Sequence, residues 1–588
     1  MRRDATGWAI VGLTLIAGGC ADPLSVDSTQ ALHEQIVTAN RRQVQAVEGA
    51  PTTEPPTDKS EMYLETDAKR VKQLDDISGP KVYLSEKLDL GKPLDASETK
   101  SVTLSLQQAV RKVVANNLDV QLAQLAPAIS QAQVAAAEAV FDAVFFTEFN
   151  YANVDQPRPA SIVNGFTVGT NSTVQNTADL STGIRKPLET GGRLEVSTGF
   201  DYVNNKTPNF AQTPDPAWTS NITLGLSQPL LRNFGTYVNR SQIMLSRNAH
   251  RNDILELHNT LLAAASQVEQ AYWNLVLVRR QLAIQQRLLQ MTVDTRDTIF
   301  ARAEFDVNPV QKAQAQAFVE ARRYDVIRTA AIVRNASDSL KRLINDPELP
   351  VADETLIVPA DDPVELPLKY NLLDEVTAAL RHRPEVRQAL LQIDDASIRQ
   401  RVADNQRLPL LALSAQVAYE GLDDDLRGSG DRMTDANFIS YLLGAQFEAP
   451  IGNRAAEADF QRTRLQRQQT VLTYRNTAQG VVLEVKQALR DLVTSWRLIT
   501  VNRSSRRAAA ENLRALLERE ERGEALTPEF LLDLKLSTQQ RLADAETREL
   551  QSVIDYNNAI VRLRQATGTL LEHNKINMQW PVDMFADE

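Results

Sequence analysis

Residue types that catalyse reactions or bind metals are thinly spread in this chain of 588 residues, which has five histidines and one cysteine. His250 and His258 stand eight positions apart in a helical stretch, which is about 12 Å along a helix axis and too far to share one metal ion. His33, His382 and His573 each stand alone. No phosphate-binding loop, dinucleotide fingerprint or nucleophile elbow occurs in its required context, and TGG at 190–192 reads as a strand turn. The pattern therefore offers no catalytic residue, no metal ligand and no cofactor site, and the chain does not read as an enzyme. Carboxylates offer a different chemistry. Glu529 and Asp533 fall in the first turns of a helix expected to begin at Pro528. The helix dipole favours acids there, and the same groups repeated around a symmetry axis would form a ring that attracts cations at a pore mouth. The pattern leaves both readings open.

The elements carrying these acids occur twice. Leu106, Val110, Val114, Asp119 and Val120 match Leu372, Val376, Leu380, Glu385 and Val386, each pair 266 positions apart. The strand end LSQPLL at 226–231 answers FEAPIG at 447–452, placing Pro229 and Pro450 221 positions apart. Gln267, Val268, Gln270, Ala271, Leu275 and Val276 match Glu484, Val485, Gln487, Ala488, Leu492 and Val493 at a separation of 217. A repeat of this kind sets the architecture before any local reading does. Between the first two landmarks the separation falls from 266 to 221, so the first copy carries 45 extra residues, enough for two further strands.

Within each copy the apolar period changes. Residues from Thr103 to about Val140 read as helical, broken only near Pro127. Strands then follow at about 141–151, 178–186, 192–204 and 219–229 in the first copy, and at 409–420 and 438–449 in the second. Their alternation is two-faced: Leu194, Val196, Phe200 and Tyr202 oppose Glu195, Ser197 and Asp201, while Ile439, Tyr441 and Leu443 oppose Ser440 and Gln446. A transmembrane β-strand shows this pattern, and so does a strand of a soluble sandwich. The tight connection PLETGG at 187–192, against the long polar stretches 152–177 and 204–218, matches the loop asymmetry of outer-membrane barrels. In a barrel, Glu195, Asp201, Gln416, Ser440 and Glu448 would keep the lumen wet.

The helices that follow are long. Residues 238–302 contain no proline, which corresponds to about 100 Å of helix. Leu261, Ala265, Val268, Tyr272, Leu275 and Leu282 make a seam interrupted at Arg279, and Val482, Val485, Leu489, Leu492, Trp496 and Ile499 repeat it. A second stripe of smaller residues runs beside each, Ala264, Ala271 and Val278 in one copy and Val481, Ala488 and Ser495 in the other. Two seams imply two neighbours, as in the wall of a hollow cylinder or in a broad bundle. Each long helix turns back at a proline, Pro309 or Pro528, with Asn308 or Thr527 in the N-cap position.

At the N-terminus, Arg2 and Arg3, an apolar run from Trp8 to Ile16 and the small residues Ala17, Gly18 and Gly19 read as a signal peptide over 1–19. The small residues before Cys20 resemble the lipobox of bacterial lipoproteins, which implies acylation of Cys20; a soluble signal with an incidental cysteine is the other reading. Residues 20–100 are polar and proline-punctuated, and read as a lipidated arm or tether with a short helix around 31–47. The net charge of −11 comes with no basic cluster, which excludes a nucleic-acid partner. Past the signal no helix is apolar enough to span a bilayer, so a membrane-spanning part must be a closed barrel.

Taken together, the duplicated unit, QPLLRNFG at 228–235, VEQAYWNLV at 268–276 and the hairpin RGEALTPEFLLDLKLSTQQ at 522–540 resemble TolC-type outer-membrane efflux proteins over about residues 101–575. The resemblance implies an α+β membrane protein, a trimeric transmembrane β-barrel continuous with a long periplasmic α-helical barrel, built from two internal repeats. The domains would be the signal at 1–19, the arm at 20–100, a first repeat at 101–345, a linker at 346–369, a second repeat at 370–575 and a tail at 576–588. It implies an outer-membrane channel of a tripartite efflux or type I secretion system, lodged in outer-membrane lipid as a homotrimer. The partners would be a periplasmic adaptor and an inner-membrane pump. Adaptors would meet the tips at Phe305, Asp306, Val307, Asn308 and Pro309 and at Gly523, Glu524, Ala525, Leu526, Thr527 and Pro528. The extra residues of the first copy predict six strands per chain where the family usually has four, hence eighteen in a trimer. A periplasmic coiled-coil lipoprotein acting as scaffold or adaptor, its strands in a soluble domain, is the competing reading.

Overall fold

Side chains that can satisfy free backbone donors mark where the helices start. Ser105 and Gln108 form a reciprocal capping box, the Gln108 amide donating to Ser105 Oγ at 3.2 Å and the Ser105 amide to Gln108 Oε1 at 3.1 Å. Asn117 Oδ1 accepts from the amides of Asp119 and Val120 at 2.9 and 3.1 Å, and Asn371 Oδ1 from Leu373 at 3.0 Å. In this computed structural model of the chain, the residues described are 34–35, 37–39, 53–57, 67–79, 88–91, 94, 100–159, 161–163, 166–168, 172–207, 212–301, 309–522 and 528–576.

The elements run in the order α1 (Ala68–Ser78), β1 (Ser101–Leu104), α2 (Leu106–Asn116), α3 (Leu118–Glu138), β2 (Val144–Pro157), β3 (Ser161–Val163), β4 (Phe166–Val168), β5 (Ser172–Pro187), β6 (Arg193–Asn205) and β7 (Ala217–Pro229). After these come α4 (Ser241–Ala301), α5 (Pro309–Ile344), β8 (Leu356–Pro359), α6 (Leu372–His382), α7 (Pro384–Gln406), β9 (Leu410–Asp423), α8 (Leu426–Thr434), β10 (Phe438–Glu448), α9 (Arg454–Glu521) and α10 (Pro528–Thr567). Two differences from the sequence reading have physical causes. Helix α3 runs through Pro127, and the break falls earlier, at Asn117, where a side chain caps the new helix. The arm is more than a tether, because α1 is a helix with a fully buried Leu74 and Thr53 bridges to Tyr370. The signal peptide, Cys20, His33 and residues 577–588 lie outside the described residues.

The chain builds two bodies. One is a six-stranded antiparallel sheet in the order β10-β9-β7-β6-β5-β2, joined through the tight turn at 188–192 and the long outer connections. The other is made of two helical hairpins, α4 with α5 and α9 with α10, with α2 and α3 alongside α4 and α6 and α7 alongside α9. Helix α4 has 61 residues and α9 has 68, so each is about 90–100 Å long. The seam residues Leu261, Ala265, Val268, Tyr272, Leu275 and Leu282 are all buried, as are Val485, Leu489, Leu492 and Ile499. Burial of the stripes Ala264 and Val278, and Val481 and Ala488, shows each long helix packed on a second side.

A collar of connections crosses the middle. Strand β1 pairs in parallel with β8, tying residue 101 to 356. Tyr272 Oη accepts from the amides of Ala360 and Asp361 at 3.0 and 3.1 Å, and Tyr556 Oη accepts from Leu368 at 2.9 Å and donates to the Leu366 carbonyl at 2.7 Å. The segment between the halves is thereby fastened to α4 and α10. Because Leu275 is fully buried in the seam, Leu275→Ala is expected to cost about 2–5 kcal/mol. A lowered urea midpoint, followed by circular dichroism, measures it.

Candidate functional site

Register turns sequence alternation into two chemically distinct faces. One rung crosses the whole sheet as Phe145, Ile184, Val196, Leu224, Val417 and Tyr441, each paired with the next. Phe149, Leu180 and Phe200 share that face two rungs outward, and Leu443 and Phe447 continue it on β10. Most of these side chains are uncovered, with Tyr441 and Leu443 81% exposed and Phe145 70%, while Phe200 and Val417 are half-buried. An exposed apolar surface this continuous belongs against lipid or a partner, not water.

The opposite face carries the polar residues. Glu195, Asp201, Gln416, Ser440 and Glu448 all lie there by register, as the alternation predicts. Arg185 pairs with Glu195 at 3.0 Å across β5 and β6 and stacks over Phe146 at 4.6 Å. Asp179 stands directly opposite Asp201, which accepts from Asn221 Nδ2 at 3.2 Å. Like charges directly opposed destabilise a strand pair, so this face is suited to water.

At the end of the sheet farthest from the helices, α8 folds onto the apolar face. Ser220 and Ser429 are fully buried there, with their hydroxyls 2.7 Å apart. Gly421 permits the contact, since a Cβ on it would lie 2.2 Å from the Ser429 carbonyl oxygen. Beside it, Tyr202 and Trp218 stack with centroids 4.8 Å apart, an aromatic pair suited to a membrane interface. Gly421→Val is expected to unseat α8 and to speed tryptic cleavage at Arg427 and Arg432, read by mass spectrometry.

At the far ends of the hairpins, α5 begins at Pro309 and α10 at Pro528, as the prolines predict. Phe305, Asp306, Val307 and Asn308, and Gly523, Glu524, Ala525, Leu526 and Thr527, lie outside the described residues. Glu529 lies in the first turn of α10, and Asp533 is exposed one turn on. Just behind the tips, Ile299, Ala315, Leu532 and Leu536 form a small apolar cluster joining α4, α5 and α10.

A chain of buried charges missed by the sequence reading lies deeper in the hairpins. Arg506 and Arg503 of α9 both pair with Glu549 of α10, the latter at 2.9 Å, and Arg503 also reaches Glu365 at 2.6 Å. Arg287 of α4 pairs with Glu546. A signal existed: Leu542, Glu546, Glu549, Val553 and Tyr556 follow a four-three seam on which two positions are acids. Burial pushes the Glu546 carboxyl up to about 7 despite its bond to Arg287, and its Oε2 has no hydrogen-bond partner. With a folded pKa above the unfolded one, this group stabilises the fold most below about pH 4.5, and that contribution fades as pH rises to about 7. Glu546→Gln is expected to flatten the fall in stability between these values, measured as denaturant midpoint against pH.

Two of the described histidines sit at helix contacts. His250 Nδ1 lies 3.1 Å from Ser130 Oγ across α3 and α4. Burial, then Arg387 and His382, hold the His258 pKa down to about 4 against the pull of Glu385. His382, solitary in sequence, is thus brought into the electrostatic field of His258. Among the described residues no group of three or more histidines, cysteines or carboxylates could hold a metal ion, and no helix is long and apolar enough to cross a membrane.

No protein-family profile matches the chain, and no curated protein does. Solved structures do match. The CmeC outer membrane channel of Campylobacter jejuni is 17% identical, with 82% of this chain and 92% of that one covered and a TM-score of 0.57. The MtrE outer membrane channel of Neisseria gonorrhoeae, in its open state, is 17% identical, with 84% and 97% covered and a TM-score of 0.54. The outer membrane protein VceC of Vibrio cholerae is 13% identical, with 79% and 96% covered and a TM-score of 0.54. The chain has the α+β fold of TolC-type outer-membrane channels, as its sequence resemblance implied.

Proposed function

We propose that the chain is the outer-membrane channel of a tripartite efflux or type I secretion system, a homotrimer conducting its cargo passively while an inner-membrane pump supplies the work. The observation that carries this reading is the uncovered apolar face of the six-stranded sheet, backed by a polar face with paired and opposed charges. A soluble sandwich would bury that face, so it favours the channel over the coiled-coil scaffold.

The open edges support an assembly of several copies, and three is the number that the resemblance implies. Strands β2 and β10 are terminal in the sheet, and an open edge cannot stand in lipid because its backbone groups have no partners there. Pairing β10 of one copy with β2 of the next closes the wall, with eighteen strands in three copies. Connectivity puts α3 beneath β2 and α9 beneath β10. Each presents an exposed apolar stripe, Leu118, Leu122, Leu125 and Ile129 on one and Leu465, Leu472 and Leu483 on the other. The first stripe has four-three-four spacing, which is a coiled-coil seam awaiting a neighbour.

In this reading the two repeats at 101–345 and 370–575, joined by the linker at 346–369, each contribute one hairpin to a periplasmic tunnel. A signal over 1–19, acylation of Cys20 and the arm over 20–100 would anchor the chain to the outer membrane. A periplasmic adaptor would engage the tips at 305–309 and 523–528, and Glu529 and Asp533 would ring the inner mouth. Selectivity would be set by width and by that charge. Extraction from the outer membrane only with detergent, at about three times the mass of the mature chain, is the expected outcome. A monomer or dimer released by salt would favour the scaffold. In planar bilayers, Glu529→Gln with Asp533→Asn is expected to weaken block by divalent cations; unchanged block would remove both residues from the mouth.

A further inference from the structure

Helix α1 lies where the two hairpins meet. Leu74 is buried against Ala510 and Leu513 of α9 and Leu542 of α10. Asp75 accepts from Arg506 Nη2 at 2.8 Å and from Arg507 Nη2 at 3.0 Å, Ser78 Oγ accepts from Arg506 Nη1 at 2.9 Å, and Arg70 pairs with Glu511 at 3.0 Å. From the other hairpin, Arg287 Nη1 of α4 donates to the Ile77 carbonyl at 3.3 Å. This 11-residue helix therefore touches both hairpins of its own protomer.

The contacts differ from those of a passive strap. Arg506 is 1% exposed with α1 seated, and its Nε is already committed to Glu549. Removing α1 takes away the Ser78 and Asp75 acceptors of Arg506 and the Asp75 contacts of Arg507. A buried cation that loses two acceptors and keeps only part of its pairing is destabilised, so an emptied seat favours rearrangement of the surrounding pairs of Arg503, Arg506 and Glu549. Arg506 is fifteen residues from the end of α9, about 22 Å of helix, so a rearrangement there acts on the segment leading to the tips.

We propose that α1 is a latch that holds the two hairpins of each protomer together and must leave its seat before their tips can spread. The proposal rests on the channel reading above. It gives the N-terminal arm a gating role separate from any anchoring by Cys20.

The test uses the full chain extracted as the assembled protein. Asp75→Asn removes the charge with little change of shape, Leu74→Asp breaks the apolar seat, and Lys72→Gln, on the exposed side of α1, is the control. Both seat variants are expected to raise conductance or open time in planar bilayers several-fold, with the control unchanged. They are also expected to speed amide hydrogen exchange in 285–301 of α4 and 528–546 of α10 as well as in 68–78. Wild-type conductance in both seat variants, or faster exchange confined to 68–78, would overturn the latch. Absence of conductance from every form would count against the channel, and the exchange pattern would then decide alone whether α1 holds the hairpins.

Discussion

A β-sheet with one apolar face and, among the described residues, two unpaired edges calls for partners on that face and at those edges, and the proposed assembly follows from that need. Lipid can cover the face from Phe145 to Tyr441, but lipid cannot pair the backbone of β2 or β10. Only another strand can do so, and in the proposed assembly copies of the same chain would supply it. The two hydrogen-bonding edges also fix where the helices go. Helix α3 enters one edge strand and α9 leaves the other, so the helical body inherits the same flanks as the sheet.

Inside the helical body a different constraint operates. Helices of this length would slide past one another if only leucine and alanine lined their seams. Tyr272 and Tyr556 fasten the collar segment to α4 and α10, and the charges of Arg287, Arg503, Arg506, Glu546 and Glu549 sit on buried faces where their pairing specifies one alignment. Buried ion pairs are poor sources of net stability, and breaking one costs far more than making it yields. That asymmetry suits a body whose long helices hold one register.

The first half of the chain contributes four strands to the sheet and the second half two. Strands β5 and β6 lie between β2 and β7 in the same sheet, with the same face alternation as their neighbours. The added hairpin is part of the six-stranded sheet, and in the proposed barrel it would widen the wall, since diameter grows with strand number. The second copy spends its outer connection on α8, seated by Gly421 and Ser429 on the apolar side.

The sequence by itself determined the elements and their faces, because side-chain period is a local property. A period of two marked β6, β7, β9 and β10, and β2 and β5 lie where further strands were expected, with β2 running on to Pro157 and β5 starting at Ser172, inside the stretch expected to be a long polar connection; a four-three period marked the long helices. Prolines 309 and 528 marked where the hairpins return. The fate of Pro127 was not local: a helix packed along α4 tolerates the missing hydrogen bond, while capping at Asn117 decides the break. Only the tertiary structure decided which charges meet. Arg506 and Asp75 are 431 positions apart, and His258 meets His382 and Arg387 only because α4 packs on the α6–α7 pair. Nothing in the composition of residues 67–79 distinguishes a docked helix from a solvated one, since its seat is supplied by three other helices. Spacing along a chain encodes which face a residue occupies, and packing alone encodes what that face meets.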